Sequence, residues 1–272
     1  MDKKVDTLGD RVKNLEMAQA SLCLDEDSPI CVRIDGKSFH TYTKGLVRPF
    51  DKRLSQAMID TTNFLVEQTH AKLGYTQSDE ISLVYFKTDD KQQSFFGGRI
   101  QKLTSVLASI TTAKFNSEIL KNLTEKSDQF AIFDCRVWNV PTLQDAAEVF
   151  IWRQEDAIKN AISMAAQAHY SHTLLQGKNS ATKIKMLAEI GVSWDDYPEF
   201  FKSGTYSKRN LVVTPMSEEL KKFPGNENKE SYLRTEIINF HYPRLNKIDN
   251  IDNFLFQEYF NKENSKTNKK TF

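Results

Sequence analysis

The chain has only three cysteines in 272 residues, Cys23, Cys31 and Cys135, an odd number with no CxxC pair. That argues against a disulfide framework and against a cysteine-built zinc site, and it suits a reducing, cytoplasmic setting. No apolar run approaches the roughly 20 residues of a membrane span, so no membrane partner is expected. Met1-Asp2-Lys3-Lys4 is not followed by the apolar stretch of a signal peptide. Nor is there an excess of one charge: 37 Lys and Arg face 36 Asp and Glu, a net charge of +1. A generally basic nucleic-acid coat is thereby excluded, and any nucleic-acid contact has to come from a local patch. No GxxxxGK[ST] loop is present, and no internal repeat. The five histidines are scattered; His169 and His172 lie one helical turn apart with no third ligand in view, which reads as structural.

Hydrophobic residues make up 39% and charged residues 27% of the chain, enough for a sizeable core in one large domain or two small ones. Residues 7–20 read as a helix. Ile30-Cys31-Val32-Arg33-Ile34 is a β-branched apolar strand that closes on Asp35-Gly36. From Asp51 to about His70, Leu54, Met58, Thr61 and Leu65 recur at helical spacing. Tyr75-Thr76-Gln77 and Ile81–Phe86 read as a hairpin whose tip is Ser78-Asp79-Glu80. Gly97-Gly98 breaks the chain before a helix from about Arg99 to Leu120, and a fourth strand spans 130–140. The order β-α-β-β-α-β predicts an α+β fold of the split βαβ, ferredoxin-like type, with its first and third strands adjacent in the middle of the sheet. After Pro141 come a long helix from Thr142 to about Tyr170, opened by a Thr142/Asp145 capping box, and another from Ser180 to Gly191. Ser207-Lys208-Arg209-Asn210 reads as the basic tip of a C-terminal hairpin, and the last ten residues as a polar, frayed tail. This divides the chain into a core at 1–140 and a helical and hairpin extension at 141–272.

Asp35 and Asp79 both fall at strand ends that this topology brings together. Two carboxylates so placed repel unless a cation lies between them. Mg²⁺ resolves that cost with oxygen ligands from one or two carboxylates, substrate phosphates and water, and a pair of such ions roughly 3.5–4 Å apart is the clamp of phosphoryl-transfer polymerases. Gly36, without a Cβ, lets the backbone approach an ion or a phosphate. The stretch Lys37-Ser38-Phe39-His40 can present successive N–H groups to a triphosphate. Taken singly, Asp-Gly and Ser-Asp-Glu are ordinary turns. Arg153, Asp156 and Asn160 share one helix face, suited to holding phosphate or a base edge, though the bland reading is a surface ion pair. Arg99 and Lys102, one turn apart, are candidate phosphate contacts near a helix start; so are Lys208 and Arg209, and Lys262, Lys266, Lys269 and Lys270 in the tail. Each is also what a solvated surface looks like.

Arg33-Ile34-Asp35-Gly36-Lys37-Ser38-Phe39-His40 together with Gln77-Ser78-Asp79-Glu80 resembles the tRNA-His guanylyltransferase family, the 3′–5′ RNA polymerases. The likeness extends to TLGDRVKNLE near the N-terminus and to Arg48-Pro49-Phe50-Asp51, where a Lys-Pro-Asn-Asp element would stand. It continues through Phe133-Asp134-Cys135-Arg136-Val137, Pro141 and Trp152-Arg153-Gln154-Glu155-Asp156, covering about residues 7–210. The resemblance implies a polymerase-like palm with Asp35 and Asp79 as metal carboxylates, the Gly36 carbonyl as a further ligand and Glu80 as the neighbouring catalytic acid. Residues 35–40 and Ser78-Asp79 would hold the nucleotide, with Asn160 and Lys183, while Arg99 and Lys102 match basic residues of the second palm helix. Where the family has a His-Ile-Asn-Asn motif, this chain has Ile158 for His and Ala161 for the second Asn. That departure resembles the guanylyltransferase-like branch that repairs 5′-truncated tRNAs by templated addition.

The expectation is therefore a Mg²⁺-dependent, two-ion nucleotidyltransferase that adds nucleotides to an ATP- or GTP-activated 5′ end of tRNA, as a homo-oligomer and, like its relatives, a tetramer. The alternatives are guanylate addition to tRNA-His alone, a palm-type nucleotide cyclase, and an RNA-binding module that has lost turnover.

Overall fold

The computed structural model of the chain describes residues 7–88, 93–242 and 244–256. In chain order the elements are α1 (Thr7–Ala20), β1 (Ile30–Gly36), α2 (Phe39–Tyr42), α3 (Lys52–Thr69), β2 (Leu73–Gln77), β3 (Glu80–Tyr85), α4 (Ile100–Asn122), β4 (Phe133–Asn139) and α5 (Leu143–Gln167). Then follow α6 (His172–Leu175), α7 (Ser180–Glu189), α8 (Glu199–Lys202), β5 (Thr205–Pro215), α9 (Glu218–Lys221), β6 (Ser231–Phe240) and α10 (Ile251–Phe256).

Alternation along β1 decides how the layers stack. Ile30, Val32 and Ile34 point to one face, where they pack with Ile81 and Leu83 against Met58 and Leu65 of α3 and Leu107 and Phe115 of α4. Cys31 points to the other face and joins Leu73, Tyr75, Val84 and Tyr206 under Ala146, Ala147, Phe150 and Ala157 of α5. Residues of a strand that line both faces in this way require a covering layer on each side. The first face receives α3 and α4 and the second receives α5. Small alanines on α5 let it lie close to the sheet, and Phe150 fills the remaining space with no exposure.

The sheet runs β4-β1-β3-β2-β5-β6 with every neighbouring pair antiparallel. Its first four strands are the expected βαββαβ arrangement, with β1 and β3 side by side. Asp51 caps α3 by accepting from the Arg53 amide, and the Thr142/Asp145 capping box opens α5, each satisfying amides that have no partner within the helix.

The C-terminal hairpin is placed differently from the reading of its sequence. Ser207-Lys208-Arg209-Asn210 is not a tip but the interior of β5, which pairs with β2 over Thr205–Ser207 and with β6 over Tyr206–Pro215. The turn between the two strands lies at 216–230, around α9. The lysines assigned to the tail, Lys262, Lys266, Lys269 and Lys270, lie outside the described residues.

Candidate active site at the strand ends

In the β1–β3 register Asp35 faces Glu80, and in the β1–β4 register it faces Asp134. The chain leaves β2 at Gln77 and re-enters β3 at Glu80, so Ser78 and Asp79 alone make the turn. Ser78 adopts a left-handed φ of 54°, and its hydroxyl donates to Asp79 Oδ1 at 3.0 Å. The Gly36 amide donates to the Asp79 carbonyl at 3.1 Å. That bond carries the β1–β3 ladder past the strand end and fixes the residue after Asp35 against the hairpin turn. The two aspartates are thus brought together. Burial pushes the Asp79 carboxyl above the usual carboxylate value, and the Asp35 charge adds to the rise.

Glu80 is half-buried, and desolvation raises its carboxyl, but two guanidinium groups oppose the rise. Arg153 of α5 donates from Nε to Oε1 at 2.6 Å and from Nη2 to Oε2 at 2.8 Å; Arg33 Nε stands 4.0 Å from Oε2. Arg153 also lies 4.5 Å from the centre of the Trp152 ring and donates to Asp156 Oδ2 at 3.2 Å. Asn160 donates to that same oxygen at 3.3 Å, and one turn further along α5 Ser163 accepts from Lys183 at 2.9 Å. Arg153, Asp156, Asn160 and Ser163 therefore form one polar stripe running from Glu80 to Lys183. Helical spacing indicated the Arg153–Asp156 pair; the stronger Arg153–Glu80 bond joins residues 73 apart in sequence and had no local signature.

Residues 36–40 behave unequally. Lys37, Ser38 and His40 are exposed, and Ser38, with φ 56°, turns the chain into α2. The first amides of α2 have no acceptor within the helix, whereas the Lys37 amide is taken by the Ile132 carbonyl at 2.8 Å. Phe39 is a core residue, packed on Tyr42, Phe115 and Phe133. A Cβ on Gly36 would come within 2.2 Å of the Phe39 ring. Glycine is therefore required here by that ring, whatever else approaches the backbone.

The basic candidates do not gather at this site. Arg99 and Lys102 stand at the start of α4, which leads back along the sheet. They sit toward the opposite end of the sheet from Asp35 and Asp79: Arg99 bridges to Cys23 ahead of β1, whereas the part of α4 level with Gly36 is Thr112, whose hydroxyl accepts from the Phe133 amide. Arg99 Nε donates to the Phe96 carbonyl at 3.2 Å, and Lys102 lies 5.8 Å from the Phe96 ring centre. Lys208 is buried, and its ammonium donates to the Leu255 carbonyl at 3.1 Å; Arg209 contacts the His70 ring. Both residues lie within β5 and not at a hairpin tip, which corrects that placement, and Lys208 in addition has its charged end held inside the fold. A cavity of about 190 Å³, lined by Ile30, Thr69, Tyr85 and Phe95 among others, also opens at the far end of the sheet, and neither Asp35 nor Asp79 lines it.

A polar feature that sequence reading passed over lies beside the carboxylates. Arg33 Nε is buried with no hydrogen-bond partner, as is the hydroxyl of its cross-strand neighbour Ser82. Buried donors are ordinarily satisfied. Among the described residues no group of three or more His, Cys, Asp and Glu side chains is gathered as a metal cage. Two converging carboxylates, one with a raised pKa and neither paired to a cation, nonetheless fit the sparse protein ligand set of Mg²⁺, which draws the rest of its shell from phosphates and water.

Comparison with known proteins gives this geometry a context. The family model described as tRNAHis guanylyltransferase matches residues 9–141, the segment that carries both aspartates. A solved bacterial tRNA(His) guanylyltransferase-like protein in complex with ATP is 37% identical; the match covers 84% of this chain and 91% of that one, with a TM-score of 0.69. The chain belongs to the tRNA(His) guanylyltransferase family. A bacterial guanylyltransferase-like protein in complex with GTP is 34% identical over 92% of this chain and all of that one, with a TM-score of 0.71. The tRNA(His) guanylyltransferase of Debaryomyces hansenii is 26% identical over 79% of this chain and 86% of its own length. As a member of the tRNA(His) guanylyltransferase family the chain is a nucleotidyltransferase of α+β, palm-like fold. Among its described residues no helix is long and apolar enough to cross a membrane.

Proposed function

We propose that this protein is a Mg²⁺-dependent 3′–5′ nucleotidyltransferase that restores nucleotides to 5′-truncated tRNA by templated addition. The observation that carries the reading is the convergence of Asp35 and Asp79 at the end of β1 and in the β2–β3 turn, locked by the Gly36–Asp79 backbone bond. Of the described residues, those up to 140 form the catalytic palm and those from 141 onward an extension that covers one face of it with α5 and lengthens its sheet with β5 and β6.

Asp35, Asp79 and the Gly36 carbonyl would hold the metal, which supplies charge neutralisation at the phosphates and a lowered pKa at the attacking hydroxyl. The chain's own groups do the rest. The exposed Lys37, Ser38 and His40, with the open amides at the start of α2, would face the triphosphate, and Arg33 Nε, which has no hydrogen-bond acceptor, offers a donor to an anionic oxygen beside it. Asn160 and Lys183, on the polar stripe of α5 and α7, hold the remainder of the nucleotide. A 5′-monophosphorylated end is first activated with ATP or GTP. The 3′-hydroxyl of an incoming nucleotide, paired with the opposing strand, then attacks the activated phosphate, forming the new phosphodiester as the activating group leaves. Arg99 and Lys102, far from the chemistry, are placed to meet the body of a long tRNA rather than its end.

Ile158 and Ala161, where the family motif carries His and Asn, favour repair over guanylate addition confined to tRNA-His. A homotetramer in the cytoplasm is the expected state. The exposed Leu8, Val12, Leu15 and Leu22 on and after α1, a helix that buries none of its residues, supply an apolar stripe for association.

The test is incubation with tRNAs lacking one 5′ nucleotide while the opposing base is varied. Addition that follows the base supports templated repair. Guanosine added to tRNA-His alone would replace it with the narrower activity, cyclic nucleotide formed without RNA would point to a cyclase, and tRNA binding without incorporation would leave a binding module.

A further inference from the structure

Glu80 stands next to Asp79, and its carboxylate looks at first like a third acid for the metal. Its surroundings say otherwise. Both oxygens are held by Arg153 in a two-pronged bond of 2.6 and 2.8 Å, and the two side chains are 17% and 12% exposed. Such charge-assisted fork bonds fix geometry as well as contributing energy. Arg153 is itself held on three sides, by the carboxylate, by the Trp152 ring and by Asp156. The helix that carries it is anchored independently. Phe150 and Ala157 are buried against the sheet, and the side chain of Gln154, 1% exposed, donates to the Tyr242 carbonyl at 2.7 Å and accepts from the Leu245 amide at 2.8 Å. A rigid helix therefore grips the first residue of β3, one position after the turn that presents Asp79.

We infer that Arg153 is a positioning residue for the carboxylate pair: its clamp on Glu80 holds the Ser78–Asp79 turn against β1, and Glu80 is the anchor of that clamp rather than a ligand of the metal. The inference rests on the reading of Asp35 and Asp79 as metal carboxylates. It adds a device, since α5 carries both the clamp and Asn160 of the nucleotide stripe, so one helix sets the metal turn and the nucleotide in a common frame. Supporting groups of this kind typically change metal affinity by about 10- to 100-fold when lost.

The test is Mn²⁺ binding, followed by the loss of the free-ion electron paramagnetic resonance signal in the presence of GTP. The proteins compared are the wild type, Asp79→Asn, Arg153→Gln, Arg153→Lys, Glu80→Gln and the Glu80→Gln/Arg153→Gln double variant. Arg153→Gln and Glu80→Gln are expected to weaken binding by roughly tenfold or more with the number of bound ions unchanged. Arg153→Lys, which keeps the charge but loses the fork, falls between these and the wild type. The double variant is no weaker than the single ones, because both remove one contact. It also leaves no buried charge without a partner, and with Arg153→Lys it keeps the test decisive should Arg153→Gln fail to fold. Wild-type affinity in Arg153→Gln, or in Arg153→Lys and the double variant where that protein is unfolded, overturns the inference. So does loss of one bound ion in Glu80→Gln, which would make Glu80 a ligand. Undiminished binding by Asp79→Asn is a separate failure, that of the metal reading itself.

Discussion

Two carboxylates in this fold sit in opposite electrostatic settings. Glu118 on α4 is 5% exposed and accepts from Lys114, four residues earlier, and from Lys121, three residues later. Those hydrogen bonds hold its carboxyl below the usual value. Asp79, in the β2–β3 turn, is pushed the other way by burial and by Asp35. Helical spacing supplies Glu118 with cations from its own element. At the strand ends Arg153 is engaged by Glu80 and Asp156 instead. A carboxylate whose charge is balanced within the chain serves stability; a pair left unbalanced at a strand end is set up to take a cation from outside.

The sharpest way to break that contrast is to remove the unbalanced pair. Asp35→Ala or Asp79→Ala is expected to reduce labelled-nucleotide addition to 5′-truncated tRNA at least about a hundredfold, since metal assistance is worth several kcal/mol and ~1.4 kcal/mol is a factor of ten. Wild-type incorporation by either variant would refute the site. Glu118→Gln is expected to leave addition intact and to cost about 1.5 kcal/mol of stability, a few degrees in Tm; a loss of activity without a loss of stability would erase the distinction.

The pH dependence of thermal unfolding, measured without divalent ions, separates the two groups by sign. The Glu118 carboxyl is lowered in the folded protein, so its contribution is present above the ordinary carboxylate value and is lost as pH falls through the lowered one. The deficit of Glu118→Gln should therefore close in acid. The Asp79 carboxyl is raised, so the folded protein holds its proton more tightly, and stability falls as pH rises through the raised value. Asp79→Asn should accordingly melt higher than the wild type at neutral pH, with the difference vanishing in acid. Equal signs for the two variants would mean that the settings are alike.

The smallest effects are expected far from the turn. Arg99→Ala and Lys102→Ala should each lower tRNA affinity and reduce the salt slope of binding by about 1 while the nucleotide KM stays unchanged. A change confined to the nucleotide KM would move these residues to the site.

Local pattern carried most of the palm. The β-branched run at 30–34, the apolar spacing of Met58, Thr61 and Leu65, the Ser78-Asp79-Glu80 turn, of which Glu80 proves to be the first residue of β3, and the Thr142/Asp145 box are short-range signals, and each produced the element it indicated. The convergence of Asp35 with Asp79 followed from strand order alone. What was illegible depended on tertiary partners. Ser207–Asn210 is polar enough to look like a turn, but pairing with β2 and β6 makes it strand, and the Leu255 carbonyl that receives the Lys208 ammonium lets that lysine be buried. Lys37–His40 reads as uniformly polar around Phe39, although that ring enters the core and dictates Gly36. The grip of Arg153 on Glu80 joins two elements with no periodic relation, and the orphaned Arg33 Nε becomes visible only once its neighbours are in place.

The most direct measurement is anomalous scattering from crystals of this protein soaked with Mn²⁺ and GTP. The expected result is a peak within bonding distance of both the Asp35 and Asp79 carboxylates, with Glu80 still on Arg153. Density for the nucleotide with no ion shared by those two side chains would contradict the account.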